Sequence, residues 1–152
     1  YGAWGRPDMA LFLFTQKMLA GETIQLFNYG EMTRDWTHIS DITAGVLAAL
    51  DHPASPDPEW RGDQGVLERS SAPFRLYHLG RGKPCSLKEA VALLEEALGV
   101  KAKIELAPMQ PGDVRDTYAE IEAAERELGF APQIDLKEGI GEFVAWYRAH
   151  YG

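Results

Sequence analysis

Apolar residues recur along this chain with two periods, about 3.6 and about 2, separated by Gly, Pro, Ser and Asp. "MALFLFTQKMLAG", residues 9–21, follows Pro7-Asp8 and predicts a first helix. Proline suits the first turn, Asp8 complements the positive helix end, and Gly21 fits the position just past the last turn. "TIQLF", 23–27, is a short apolar strand, and "NYGE" after it is a turn signal. "MTRDWTHI", 32–39, alternates in part and predicts a second strand; Ser40-Asp41 supply caps for a helix to about His52. From Pro53 to Pro73 the pattern is lost in Pro, Ser, Gly and charge, which predicts a long surface loop and a mobile one. "FRLYHLG", 74–80, resumes as a strand with Phe74, Leu76 and His78 at alternate positions. "SLKE", 86–89, is a capping box opening a helix that Gly99 closes. "AKIELAP", 102–108, is an alternating strand, and "MQPGDVRDTYA", 109–119, is a turn into an extended piece. "EIEAAERELG" predicts a helix ended by Gly129, and "DLKE", 135–138, starts a last helix to about His150. The fold class is α/β: one small mixed domain of short strands and helices, with no internal repeat.

Composition narrows the partners. The chain has 152 residues, 45 % apolar and 25 % charged, which is ordinary for one folded domain. Its net charge of −8, without a basic run, argues against a nucleic-acid surface but leaves room for one anionic small ligand held by a local arginine. Cys85 is the sole cysteine, so no internal disulfide and no cysteine-built metal site is expected, and a cytoplasmic location is. The longest apolar run is too short to cross a membrane, and no signal peptide is read. The chain opens "YGAWGRPD" instead of with methionine, as a segment of something longer would. The G-x-G-x-x-G, G-x-x-x-x-G-K-[ST], G-x-S-x-G and H-E-x-x-H patterns are all absent. His38, His52, His78 and His150 lack metal-ligand spacing. No catalytic residue and no metal site is assigned.

Several residues admit two readings. Arg34 is either a surface charge paired with a neighbour such as Asp35, or a planar fork aimed at a phosphate. Asp113, presented after the Pro111-Gly112 turn, either bonds its own backbone or accepts from a ligand hydroxyl. Arg6 is a surface charge or an anion hook beside a helix start. Phe27 reads as core before it reads as a stacking platform. Asp41 reads as an N-cap, Cys85 as inert, and His38 as a packed or exposed residue and not a base.

Taken together, "YGAWGRPDMALFLF", "AGETIQLFNYGEMTRDWTHISDI" and "MQPGDVRDTYAEI" resemble the C-terminal half of UDP-glucuronate 4-epimerases, which are NAD-dependent extended short-chain dehydrogenases/reductases. The resemblance runs from Tyr1 to Tyr151, and "RPDMALF" with "MQPGDV" carries it toward the uronate branch. It implies that 1–152 is a nucleotide-sugar-binding C-terminal domain without a complete Rossmann domain. The N-terminal NAD-binding domain, with its glycine-rich turn and Y-x-x-x-K, is then missing from the chain and a partner it requires. On the resemblance, Arg34 contacts the UDP diphosphate, Gln25 and Phe27 hold uracil, Asp113 contacts the ribose, and Arg6 lies near the hexuronate carboxylate. NAD serves the full-length enzyme, and none is expected to bind this chain alone. Departures exist: Gln110 stands where galactose-type epimerases place an arginine, Ala3 where proline is usual, and Ser40 where aspartate is common. Arg115 receives no role.

The first functional reading is therefore a substrate-binding fragment of an enzyme that oxidises C4 of UDP-glucuronate, rotates the 4-keto sugar and reduces its other face. A related nucleotide-sugar dehydratase or decarboxylase is the second. A non-catalytic nucleotide-sugar binder or interaction module is the third. Alone, the chain should expose apolar surface, with Val46 and Leu47 as candidates, and so be prone to self-association.

Overall fold

A computed structural model describes residues 1–64 and 66–152. Five helices and four short strands follow one another as α1 (Ala10–Leu19), β1 (Thr23–Leu26), β2 (Thr33–Arg34), α2 (Ile39–Asp51), β3 (Cys85–Ser86), α3 (Leu87–Leu98), β4 (Lys103–Leu106), α4 (Glu122–Leu128) and α5 (Leu136–Tyr151). The expected mixed α/β class is what the chain adopts.

The main core lies between α1, α3, α5 and β1. Helix α5 turns Leu136, Ile140, Phe143, Val144 and Tyr147 inward, the i, i+4, i+7 spacing of one helical face. Helix α3 answers with Leu87, Ala90, Val91, Leu94 and Leu98. Strand β1 inserts Ile24 and Leu26 and presents Thr23 and Gln25 outward. It pairs in parallel with β4, Ile24 opposite Ile104 and Leu26 opposite Leu106. A second, smaller cluster gathers Ile121, Ala124, Leu128 and Phe130 around α4, with Ala48 and Ala49 of α2 and Tyr77 and Leu79 packed against it.

Helix ends follow local chemistry. The hydroxyl of Ser86 accepts from Glu89 N at 3.1 Å, and Asp135 Oδ1 accepts from Glu138 N at 2.8 Å, so both residues act as N-caps. Helices α1, α3 and α4 end where Gly21, Gly99 and Gly129 adopt the left-handed conformation.

Other expectations need correction. Helix α1 begins at Ala10, so Pro7 and Asp8 lie ahead of its first turn, and Asp8 pairs with Arg6. Ser40 and Asp41 do not cap α2; the cap is His38, almost fully buried, whose Nδ1 accepts from Ser40 N at 3.4 Å. Asp41 is buried and takes backbone donors from Gln133 (2.9 Å) and Ile134 (3.2 Å), tying α2 to the entry of α5. "MTRDWTHI" is a strand only at Thr33–Arg34. "FRLYHLG" is no strand: apart from a bridge between Arg69 and Arg75 it has no ladder partner among the described residues. Its inward face is also the opposite one, with Tyr77 and Leu79 against the second cluster and Phe74 and Leu76 in solvent. The 53–73 segment is a surface loop, as expected, and carries contacts of its own. Trp60 Nε1 donates to Val66 O, Asp57 N to Ser70 O, and Arg69 pairs with Asp57 at 3.1 Å.

Candidate functional site

The two residues "TR" at the start of the RD sequence form the middle of three adjoining segments. On one side β2 pairs antiparallel with β3, Thr33 opposite Ser86 and Arg34 opposite Cys85. On the other lies the 113–119 segment: Thr33 N donates to Arg115 O at 3.1 Å and Thr117 N to Thr33 O at 3.2 Å. That segment begins at the Pro-Gly turn. Pro111 occupies its second position, and Gly112, at φ +83°, supplies the left-handed third position that a side chain would resist. Asp113 N closes it on Gln110 O at 3.2 Å.

Arg34 is thereby held along its length. Its Nη1 donates to the carbonyls of Thr33 (2.8 Å) and Arg115 (2.9 Å), and its Nη2 to Asp113 Oδ1 (3.0 Å). The two side chains are 23 % and 33 % exposed, sheltered but reachable from solvent. The same Oδ1 accepts from Val114 N at 2.8 Å, so Asp113 does bond its own backbone as well. Arg34 pairs with an acid, but not with its neighbour Asp35. Among the described residues the Nε–H and one Nη2 hydrogen of Arg34 have no partner, nor does Asp113 Oδ2. The surface therefore offers charged donors and a carboxylate acceptor side by side. Such a pair can hold an anion and an adjacent hydroxyl at once.

Among the described residues, the remaining predicted residues share no hydrogen bond or ion pair with this pair. Gln25 projects outward from β1, and its Nε2 donates to Glu105 Oε2 at 3.0 Å across the parallel pair. Phe27 packs against the main core, and its carbonyl accepts from Gly30 N at 3.0 Å. Arg6 is 73 % exposed and engages Asp8 (3.3 Å) and the Met9 sulfur (3.2 Å). Among the described residues no hydrogen bond or ion pair joins it to Arg34, Gln25 or Asp113. Cys85, beside Arg34, has its thiol pushed up to about 12, chiefly by burial and then by Glu89, so it is a poor nucleophile at neutral pH. Sequence reasoning overlooked Glu105, the Arg115 carbonyl and the carboxylate of Asp35. None carries a local signal, because each is recruited by a segment distant in the chain.

Elsewhere an open, polar hollow of about 370 Å³ lies between the 53–57 and 69–77 segments and α4. Its arginines are already paired, Arg69 with Asp57 and Arg75 with Glu127, and no predicted residue lines it. Among the described residues no group of three His, Cys, Asp or Glu side chains could hold a metal ion, and no helix is long and apolar enough to cross a membrane.

Known proteins resemble the chain over its whole length. The family model described as GDP-mannose 4,6 dehydratase matches residues 7–143. UDP-glucuronate 4-epimerase 4 of Arabidopsis thaliana is 44 % identical over 155 residues, covering 99 % of this chain and 34 % of that protein. Protein CapI of Staphylococcus aureus is 39 % identical over 151 residues, covering 99 % and 45 %. The crystal structure of UDP-glucuronic acid 4-epimerase from Bacillus cereus, in complex with UDP-glucuronic acid and NAD, superposes with a TM-score of 0.81 at 25 % identity, over 99 % of this chain and 43 % of that one. The chain thus spans less than half the length of the relatives it matches.

Proposed function

Because the chain belongs to the family described as GDP-mannose 4,6 dehydratase, within the extended short-chain dehydrogenases/reductases, we propose that it is the nucleotide-sugar-binding part of a UDP-glucuronate 4-epimerase. The reaction it serves is the interconversion of UDP-glucuronate and UDP-galacturonate at C4. The observation that carries this reading is the Arg34–Asp113 pair, fixed side by side at the end of the Pro-Gly turn with donors and an acceptor to spare.

In this reading Arg34 presents its uncommitted hydrogens to the diphosphate while two backbone carbonyls keep the guanidinium in place. Asp113 keeps Oδ1 on Arg34 and accepts a ribose hydroxyl on Oδ2. Gln25 and Phe27 border the uracil. Arg6, exposed and engaged by the exposed Asp8 carboxylate and the Met9 sulfur, exchanges Asp8 for the hexuronate carboxylate, a bidentate match that a neutral hexose lacks. None of these residues is a general acid or base. NAD, which supplies the hydride chemistry, belongs to the rest of the enzyme. The residues here do not fit it: β1 runs into Phe27 and the Asn28–Gly30 turn, and among the described residues no glycine-rich turn joins a strand of the parallel pair to a helix N-terminus. A nucleotide-sugar dehydratase is the second reading, favoured by the description of the matching family model.

The test is a pair of assays. The naturally produced polypeptide, supplied with NAD, should convert UDP-glucuronate to UDP-galacturonate, whereas the isolated 152-residue chain should not. Arg34→Ala should weaken UDP about ten- to hundredfold, the loss of a charged hydrogen bond worth about 1.5–3 kcal/mol. Arg6→Ala should spare UDP and weaken UDP-glucuronate relative to UDP-glucose. Unchanged UDP affinity in a folded Arg34→Ala protein would return Arg34 to a surface charge.

A further inference from the structure

Asp35 stands next to Arg34 in sequence yet makes none of its polar contacts with it. Instead its carboxylate accepts three backbone N–H groups from two other segments. Oδ1 takes Arg81 N at 3.2 Å, and Oδ2 takes Gly82 N and Ala119 N, both at 3.0 Å. Its own N–H donates to Thr117 Oγ1 at 3.0 Å. Two of these four bonds reach the 113–119 segment, the one that carries Asp113 and the Arg115 carbonyl to Arg34. The fit admits no slack: a Cβ added at Gly80 would stand 2.2 Å from the Ala119 Cβ and 2.8 Å from Asp35 Oδ2.

The consequence follows from chain geometry. Among the described residues the 113–119 segment has a single short bridge to β2, at Thr33 and Asp116, so its position along β2 is weakly specified by the ladder. Asp35 fixes that position at the far end, and the Pro-Gly turn fixes it at the near end. A slip of one residue would take Asp113 and the Arg115 carbonyl away from the guanidinium together. We infer that Asp35 is a positioning residue for nucleotide binding: by holding the 117–119 and 81–82 backbones it sets Asp113 against Arg34, and so determines affinity without touching the ligand. A carboxylate suits the task because it offers acceptors on both oxygens. An asparagine must turn an NH₂ toward at least one backbone donor.

This inference rests on the reading of Arg34 and Asp113 as the diphosphate and ribose contacts, and the experiment separates the two. UDP is titrated against the naturally produced polypeptide carrying Arg34→Ala, Asp35→Asn or both, with melting temperature recorded for each. Asp35→Asn is expected to weaken UDP about three- to tenfold in protein that is still folded, and by a clearly smaller factor once Arg34 is alanine, since the part of its effect that sets Asp113 against that arginine is then lost. Thr117→Val removes only the acceptor for Asp35 N, and should show the same dependence on Arg34 at a smaller, two- to threefold, size. It gives the answer if Asp35→Asn does not fold. Full UDP affinity in folded Asp35→Asn, or equal losses with and without Arg34, overturns the positioning role while leaving the functional reading intact. Full affinity in folded Arg34→Ala overturns both.

Discussion

The two hydrophobic clusters obey the same helical periodicity and end in different states. In the main core, α3 and α5 face each other and α1 and β1 close the remaining sides, so that Ile24, Leu94 and Ile140 retain no exposed surface. In the second cluster α4 and the 77–79 segment cover one face of α2, and nothing among the described residues covers the other. Val46, Leu47 and Leu50 of that helix are 49 %, 55 % and 69 % exposed, and Val46 and Leu50 line a hollow with Leu76. An amphipathic pattern states that a helix has an apolar side; only a partner decides whether that side is buried.

Truncation within the two clusters should expose this difference most strongly. Leu94→Ala in the main core should cost about 3–4 kcal/mol, near the middle of the range for a fully enclosed leucine. Leu128→Ala in the second cluster should cost about 2–3 kcal/mol, the low end for a buried leucine, because it borders the open hollow beside α2 and solvent can fill the space left. Denaturant midpoints at unchanged m-value measure both. Equal losses would show the second cluster to be as closed as the first.

Asp41→Ala tests the joint between the regions. It strands the N–H groups of Gln133 and Ile134 at a buried position and should cost about 2 kcal/mol. Amide exchange should accelerate at 133–134 before it does at Ile140.

A pH titration probes the second region through Glu127. The Arg75 side chain, with help from Tyr77 and Arg126, holds the Glu127 carboxyl down at about 2, against an ordinary 4.5. A lowered carboxylate stabilises the fold fully above its unfolded value and loses that contribution as pH falls toward the folded one. The melting temperature should therefore decline between about pH 5 and pH 2, and Glu127→Gln should flatten the part of that decline due to this pair. An unchanged slope in the variant would remove Glu127 from the account.

The smallest effect is expected on the uncovered face. Leu47→Ser should alter the stability of the isolated chain by about 0.5 kcal/mol or less, as surface changes do. It should also reduce any self-association measured by sedimentation. A loss above about 1.5 kcal/mol would mean that Leu47 is covered in solution.

Much of this molecule is local. Ser86 and Asp135 cap helices because each side chain reaches an N–H three residues on, and Gly99 and Gly129 stop them because a left-handed residue is cheap only there. The Gln110–Asp113 turn and the faces of α3 and α5 are legible on the same grounds, whereas the exposure of Val46 and Leu47 on α2 is expected only from the family resemblance. Strands were harder, because alternation describes a residue's two faces and says nothing of the neighbour its backbone needs. "FRLYHLG" has the pattern and lacks the neighbour. The acids were misread for the same reason. Asp41 looks like a cap, and Asp35 like a partner for Arg34, when each is judged by its sequence neighbours. In the folded chain Asp41 serves backbone 92 and 93 residues away and Asp35 backbone 46 to 84 residues away. Arg34 itself meets Asp113 across 79 residues. The sequence alone determined which groups carry charge and where the chain turns. Which charge meets which was decided only when tertiary packing brought distant segments within hydrogen-bonding distance.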